Sequence, residues 1–262
     1  MSPTFPERAF LGVSFAAADA AQVLRWVVDA SRDAAFRYVV TPNVDHLVML
    51  HGEGAEEWRR QYRSAVERAD LVVNDSRVLA RLARLAGVDL PPVPGSDLTR
   101  ELVTGGIAPG SRIALVGGSP ADAEWLRAAL PQCEVAHLAP PMGVRDRPDL
   151  QEEIACFVEH EAADFTFLAI GAPQSELVAR RLADRGKARG VALCIGASIE
   201  FLSGARRRAP RWTQRLGLEW AFRLLSEPRR LWRRYLVQGP RIFVIWYRWR
   251  RDLTLHRAEQ GV

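Results

Sequence analysis

Short apolar runs rich in β-branched residues alternate with longer stretches of helical period along most of this chain. A strand buried on both faces reads as a continuous apolar run, and a helix covering it reads as an apolar stripe. The pattern therefore specifies parallel strands joined by crossover helices. Strands are predicted over 36–41, 71–74, 112–117, 165–171 and 191–196, with a further strand region at 134–138. Helices are predicted over 44–52, 77–85, 121–130, 150–161 and 176–186. Ser119-Pro120 is a good start signal for one of them, with serine as N-cap and proline in the first turn. The predicted class is α/β: a Rossmann-like, mostly parallel sheet with flanking helices over residues 1–203.

After Gly204 the pattern changes. Between Gly204 and Arg251 lie fourteen arginines and five of the eight tryptophans, against Glu219 and Glu227. This stretch holds about +12 of charge in a chain whose net charge is +5, so the remainder is acidic. Residues 204–262 read as a basic, aromatic-rich helical appendage. One helix is predicted over 212–225, and Ser226-Glu227-Pro228 opens a second that carries Trp232 with Tyr235 or Leu236 on one face. Such asymmetry points to a polyanion: nucleic acid, an anionic membrane surface or a diphosphate-bearing substrate. A solvated face explains an isolated Arg229-Arg230 pair, but not fourteen arginines facing two acids. Basic residues near an anionic leaflet gain about 1 kcal/mol each and tryptophan favours the headgroup zone, which predicts a peripheral membrane contact.

Several classes are excluded by what is missing. No run approaches the roughly 18 apolar residues of a membrane span; the run 242–247 is too short to cross a bilayer but could lie in its surface. The N-terminal stretch lacks the pattern of a signal peptide. Cys133, Cys156 and Cys194 are scattered and read as reduced core residues of a cytosolic protein. No CxxC or HExxH spacing occurs, so no metal site is expected. GxGxxG, GxxxxGK[ST] and GxSxG are all absent, which argues against dinucleotide binding, nucleotide hydrolysis and an α/β-hydrolase elbow.

The unusual residues gather at one edge. Thr41, Asn43, Asp75, Gly117, Gly118, Gly171 and Gly196 fall at or just past the carboxyl ends of predicted strands, where open α/β sheets bind ligands. Tight turns are the plain alternative for the glycines, and a helix cap for Asp75. Group transfer from a nucleotide-activated donor needs the departing diphosphate neutralised, commonly by a metal on an Asp-x-Asp pair. No such pair exists here. Arginines would have to supply the charge, and Arg207, Arg208, Arg223, Arg230 and Arg233 are the candidates. The acceptor hydroxyl needs a base, for which Asp75 is best placed. Asp97 is second, with a helix cap as its alternative.

Thr41-Pro42-Asn43, Asn74-Asp75, Pro94-Gly95-Ser96-Asp97-Leu98, Leu115-Val116-Gly117-Gly118, Gly171-Ala172-Pro173 with Glu176, and the ordered series Arg208-Ala209-Pro210, Gly217-Leu218-Glu219-Trp220, Arg223-Leu224 and Glu227-Pro228 with Arg230 carry a resemblance. Over roughly 41–235 the chain resembles the WecG/TagA/CpsF family of bacterial glycosyltransferases, glycosyltransferase family 26. The resemblance implies an inverting, metal-independent transferase without a cofactor. It implies a UDP-sugar donor and a polyprenyl-diphosphate-linked acceptor, in cell-surface polysaccharide synthesis at the inner face of the cytoplasmic membrane. It makes Asp75 the base, with Thr41 and Asn43 in the same pocket. Asp97, Gly117, Gly118, Gly171, Pro173, Glu176, Gly196 and Glu200 are placed on the substrates, and Arg207, Arg208, Arg223 and Arg230 on the diphosphate. It also implies homo-oligomers formed through the core and an appendage that closes over the pocket at the membrane. Ser175 stands where the family's G-x-P-K-Q-E run has glutamine, and Glu200 where aspartate is common. A nucleic-acid-binding α/β protein gripping phosphates with its tail is the reading from another class; it leaves the strand-end residues without a task.

Overall fold

Thr41, Asp75 and Gly171 gain their position from a sheet whose strands all run the same way. The computed structural model describes residues 5–52, 56–205, 213 and 219–259. An antiparallel hairpin, β1 (Glu7–Phe10) and β2 (Val13–Ala16), precedes six strands: β3 (Arg37–Val40), β4 (Leu71–Val72), β5 (Arg112–Gly117), β6 (Glu134–Leu138), β7 (Phe165–Ala169) and β8 (Val191–Cys194). These six form one parallel sheet in the order β4-β3-β8-β7-β5-β6. The helices of the body are α1 (Ala20–Ala30), α2 (Val44–Leu50), α3 (Glu57–Glu67), α4 (Arg77–Leu85), α5 (Gly95–Glu101), α6 (Pro120–Ala129), α7 (Pro148–Glu161), α8 (Gln174–Arg185) and α9 (Ser198–Leu202). The α/β architecture with a helix-flanked parallel sheet is therefore as expected.

Strand periodicity distributes the core to two faces. Val39, Ile113, Leu115, Phe165, Phe167, Val191 and Leu193 face one layer, with α1, α5, α6 and α9 over them. Their neighbours Tyr38, Val40, Ala114, Val116, Leu168, Ala192 and Cys194 face the other, against α2, α4, α7 and α8. Four strands stop short of their predicted ends, at Val40, Val72, Ala169 and Cys194. The residues beyond them turn out of the sheet to form loops. The hairpin and helices α1, α3, α5 and α9 escaped the sequence reading. Helix α3 buries only Tyr62, Ala65 and Val66 along a highly charged segment, so its apolar stripe is too narrow to register as a period.

One expectation is corrected. Cys194 is buried, but Cys133 is half-buried and Cys156 is exposed, and all three thiols are free. On α7 the buried stripe is Leu150, Ile154, Ala155 and Val158, and one residue step turns Cys156 about 100° away from Ala155.

The C-terminal segment folds as α10 (Glu219–Ser226), α11 (Pro228–Trp232), a π-helical stretch (Arg233–Gln238) and a long helix α12 (Arg241–Glu259). Of the predicted helix 212–225, the part before residue 219 lies outside the described residues except for Thr213. Helix α12 is docked on the body. Ile242 is 1 % exposed within the core cluster that includes Leu47 and Leu79, and Ile245, Trp246 and Trp249 pack on the same cluster. Trp246 Nε1 donates to the Leu82 carbonyl at 2.9 Å, and Trp249 meets Phe10 edge-on with centroids 5.2 Å apart. Residues 242, 246 and 249 share a helical face at spacings of four and three. Leu236, Val237, Phe243, Val244 and Tyr247 of the same segment are exposed. Among the described residues, no helix is long and apolar enough to cross a membrane.

Candidate active site

The loops beyond β3, β4, β5, β7 and β8 line a cleft of about 1080 Å³. That is at the upper end of the roughly 300–1,000 Å³ of small-molecule pockets. Gly117 shows why this edge is rich in glycine. Its φ is +90°, and a Cβ there would lie 2.8 Å from the Ala169 carbonyl. A side chain would strain the turn and separate β5 from β7. Gly171, at φ +77°, has open space where its Cβ would be; here backbone conformation alone requires glycine, and the cleft floor stays clear.

Asp75 sits at the centre of this wall. Its amide donates to the Pro42 carbonyl at 3.0 Å, tying it to the end of β3. Oδ1 accepts from the Gly95 amide at 2.8 Å, and Oδ2 accepts from Asn43 Nδ2 at 3.3 Å. Asp75 is not the cap of α4, because Ser76 is the N-cap of that helix and its Oγ accepts from the Leu79 amide. Asn43 is itself the N-cap of α2, its Oδ1 accepting from the Asp45 amide at 3.0 Å. Thr41 is buried and donates to the Cys194 carbonyl at 3.3 Å, linking β3 to β8 beneath the cleft. The chain thus brings Thr41, Asn43 and Asp75 onto one wall.

The other sequence candidates divide. Gly117, Gly118, Gly171, Glu176, Gly196 and Glu200 line the same cleft. Pro173 is buried, and Asp97 pairs with Arg100 Nη1 at 2.9 Å one turn along α5; neither is among the lining residues. Ser175, the departure from the family run, turns its hydroxyl inward to the Leu168 carbonyl at 3.1 Å. Arg223 reaches the cleft from α10 and lies over the Phe201 ring, 5.2 Å from its centroid. Arg207 and Arg208 lie outside the described residues, as does the side chain of Arg230. Among the described residues no three His, Cys, Asp or Glu side chains converge as a metal site.

Several cleft residues were not singled out from sequence. Arg234 and Arg241 join Arg223 along the lining, and Arg234 Nε donates to Asp45 Oδ2 at the start of α2. His46 also lines the cleft, with Nδ1 2.8 Å from Asn43 Oδ1 and Nε2 3.5 Å from Glu176 Oε1. Its position three residues after an asparagine N-cap, where a capping-box partner stands, was the available signal. Burial first, and then the neighbouring Glu176, raises the Cys194 thiol well above its ordinary range; it is a protonated wall residue. The root of the C-terminal segment is pinned nearby: Ser203 Oγ donates to Asp122 Oδ1 at 2.5 Å, while Ser119 amide and hydroxyl occupy Oδ2. Burial works to raise the Asp122 pKa, but these hydrogen bonds outweigh it and hold the carboxyl below its ordinary value.

A sequence model described as the Glycosyl transferase WecG/TagA/CpsF family matches residues 8–255, nearly the whole chain.

Proposed function

The chain belongs to the WecG/TagA/CpsF glycosyltransferase family, and on that premise we propose that it moves a sugar from a UDP-sugar to a polyprenyl-diphosphate-linked saccharide, with inversion and without a divalent metal. The observation that carries this reading is the Asp75 carboxylate, held by Asn43 and Gly95 in a cleft that Arg223, Arg234 and Arg241 enter from the other end of the chain. Asp75 takes the proton of the acceptor hydroxyl, whose oxygen attacks the anomeric carbon. The bond to UDP breaks on the opposite face, and guanidinium groups stabilise the charge that develops on the departing diphosphate. Thr41 and the strand-end glycines shape the floor; Glu176, Gly196 and Glu200 stand where the substrates bind. Arg207, Arg208 and Arg230 belong to the same basic segment and are assigned to the diphosphate with Arg223.

The test is UDP release from a panel of UDP-sugars with a short-chain prenyl-diphosphate saccharide, run with and without EDTA. Turnover that persists in EDTA is the expected result. Strict dependence on added magnesium or manganese would return the leaving group to a metal, and no release with any donor would remove the transferase reading.

The acceptor's lipid places the reaction at an anionic membrane surface, on the cytoplasmic side. What supports this contact is the exposed apolar group Leu236, Val237, Phe243, Val244 and Tyr247 beside the exposed Arg233, Arg241 and Arg248. Replacing Phe243 and Tyr247 with serine is expected to weaken sedimentation with anionic vesicles by about tenfold or more, from the apolar area no longer buried in lipid. Unchanged sedimentation would move the contact elsewhere.

A further inference from the structure

We propose that His46 is a positioning residue for the Asp75 carboxylate, acting through Asn43 and anchored from behind by Glu176. The proposal rests on Asp75 as the base, and it adds a device that fixes how the base is presented. The Asn43 amide has one sensible orientation: Nδ2 faces Asp75 Oδ2 at 3.3 Å and Oδ1 receives the Asp45 amide at 3.0 Å. His46 Nδ1 lies 2.8 Å from that same Oδ1. Oδ1 has no hydrogen to offer, so a contact this short requires the proton on Nδ1. The Asn43 backbone N–H, its nitrogen 3.3 Å from Nδ1, would favour the opposite tautomer and is the longer of the two contacts.

At the other end of the ring Nε2 lies 3.5 Å from Glu176 Oε1, an approach that holds the imidazole when a hydrogen lies between those two atoms. Glu176 is 2 % exposed, and its Oε2 has no hydrogen-bond partner among the described residues. A carboxyl buried this incompletely satisfied costs stability, so a pure packing role would be filled better by an apolar residue. The surroundings are otherwise restrictive. Tyr62 of α3 has its ring 6.5 Å from the imidazole, and Asp45 on the same helix is engaged by Arg234. A flipped Asn43 amide would set NH₂ against the Asp45 and His46 N–H groups, and oxygen against oxygen at Asp75. His46 therefore adds to the Asp45 amide in opposing the flip and in keeping a donor on Oδ2.

The test is a double-mutant cycle on the full chain in the UDP-release assay above, with UDP affinity measured for every variant. His46→Ala is expected to lower kcat about tenfold, as for residues sharing one hydrogen-bond network, with UDP affinity unchanged. In an Asn43→Ala background the same substitution should change kcat by less than about twofold, because the group it acts through is gone. His46→Asn, whose amide nitrogen can replace Nδ1–H, should recover much of the loss; His46→Gln, which reaches only the Glu176 side, should not. Equal losses in both backgrounds, or His46→Asn no better than His46→Ala, overturn the proposal. Histidine ¹⁵N spectra of the unsubstituted protein test it independently of any variant: a protonated Nδ1 on His46 supports it and a bare Nδ1 overturns it. An unsubstituted chain that releases no UDP would instead overturn the transferase reading, so the two failures are separable.

Discussion

Replacing Asp75 with asparagine is expected to lower turnover by about 10²- to 10⁴-fold, the usual yield of a positioned general base. UDP affinity should stay close to its original value. The substitution conserves size, and the Gly95 amide that Oδ1 now accepts from at 2.8 Å can be met by the asparagine oxygen. The new NH₂ then points at Asn43 Nδ2, donor against donor, where a 3.3 Å hydrogen bond stood. Some of the loss will therefore come from a disturbed Asn43, and comparison with Asn43→Ala alone separates the two. Turnover within a few-fold of the original in Asp75→Asn would remove this carboxylate from the chemistry, whatever happened to UDP binding.

The second large effect is expected at Arg223. Its guanidinium lines the cleft and rests on the Phe201 ring, a geometry that orients the cation without neutralising it. Arg223→Ala should cost on the order of 10² in kcat, the scale of losing one preorganised donor to developing charge. Arg234 makes a useful contrast, because its Nε is committed to Asp45. Arg234→Ala should disturb the start of α2 more than the leaving group and give the smaller kinetic effect. Near-normal kcat in Arg223→Ala would transfer the diphosphate to Arg207 and Arg208, and their joint replacement by alanine should then carry the loss. Point variants serve this purpose better than truncation after Ser203. Removing the segment would also strip Ile242, Trp246 and Trp249 from the core they cover, and burial of a single such side chain is worth about 1.5–3 kcal/mol. Loss of activity on truncation would therefore not isolate a role for arginine.

The parts of the site legible in the sequence are those where local chain chemistry and function coincide. Asp75 and Asn43 follow short apolar strands, and Gly117 and Gly171 take positive φ values that glycine adopts at little cost and other residues do not. Asp97 sits in an equally suggestive local motif, yet it pairs with Arg100 on its own helix. The partner is only three residues away, but the pairing needs α5, a helix that the sequence reading did not predict. His46 and Glu176 are 130 positions apart in the chain, and only the placement of α2 and α8 on the same face of the sheet brings them to 3.5 Å. The tail shows the same division. Its charge and tryptophans were plain, whereas the docking of one face of α12 and the exposure of the other depend on where the body presents Phe10 and Leu82.

By itself the sequence determined the α/β class, the strand-end location of the cleft and the basic character of the C-terminal segment, because each is set by periodicity, turn chemistry or charge over a handful of neighbouring residues. Tertiary structure alone decided which carboxylates face the cleft, which arginines from the tail reach it and which tryptophans are core. Those outcomes depend on contacts between segments far apart in the chain, and a side chain's local pattern does not encode what the fold will set opposite it.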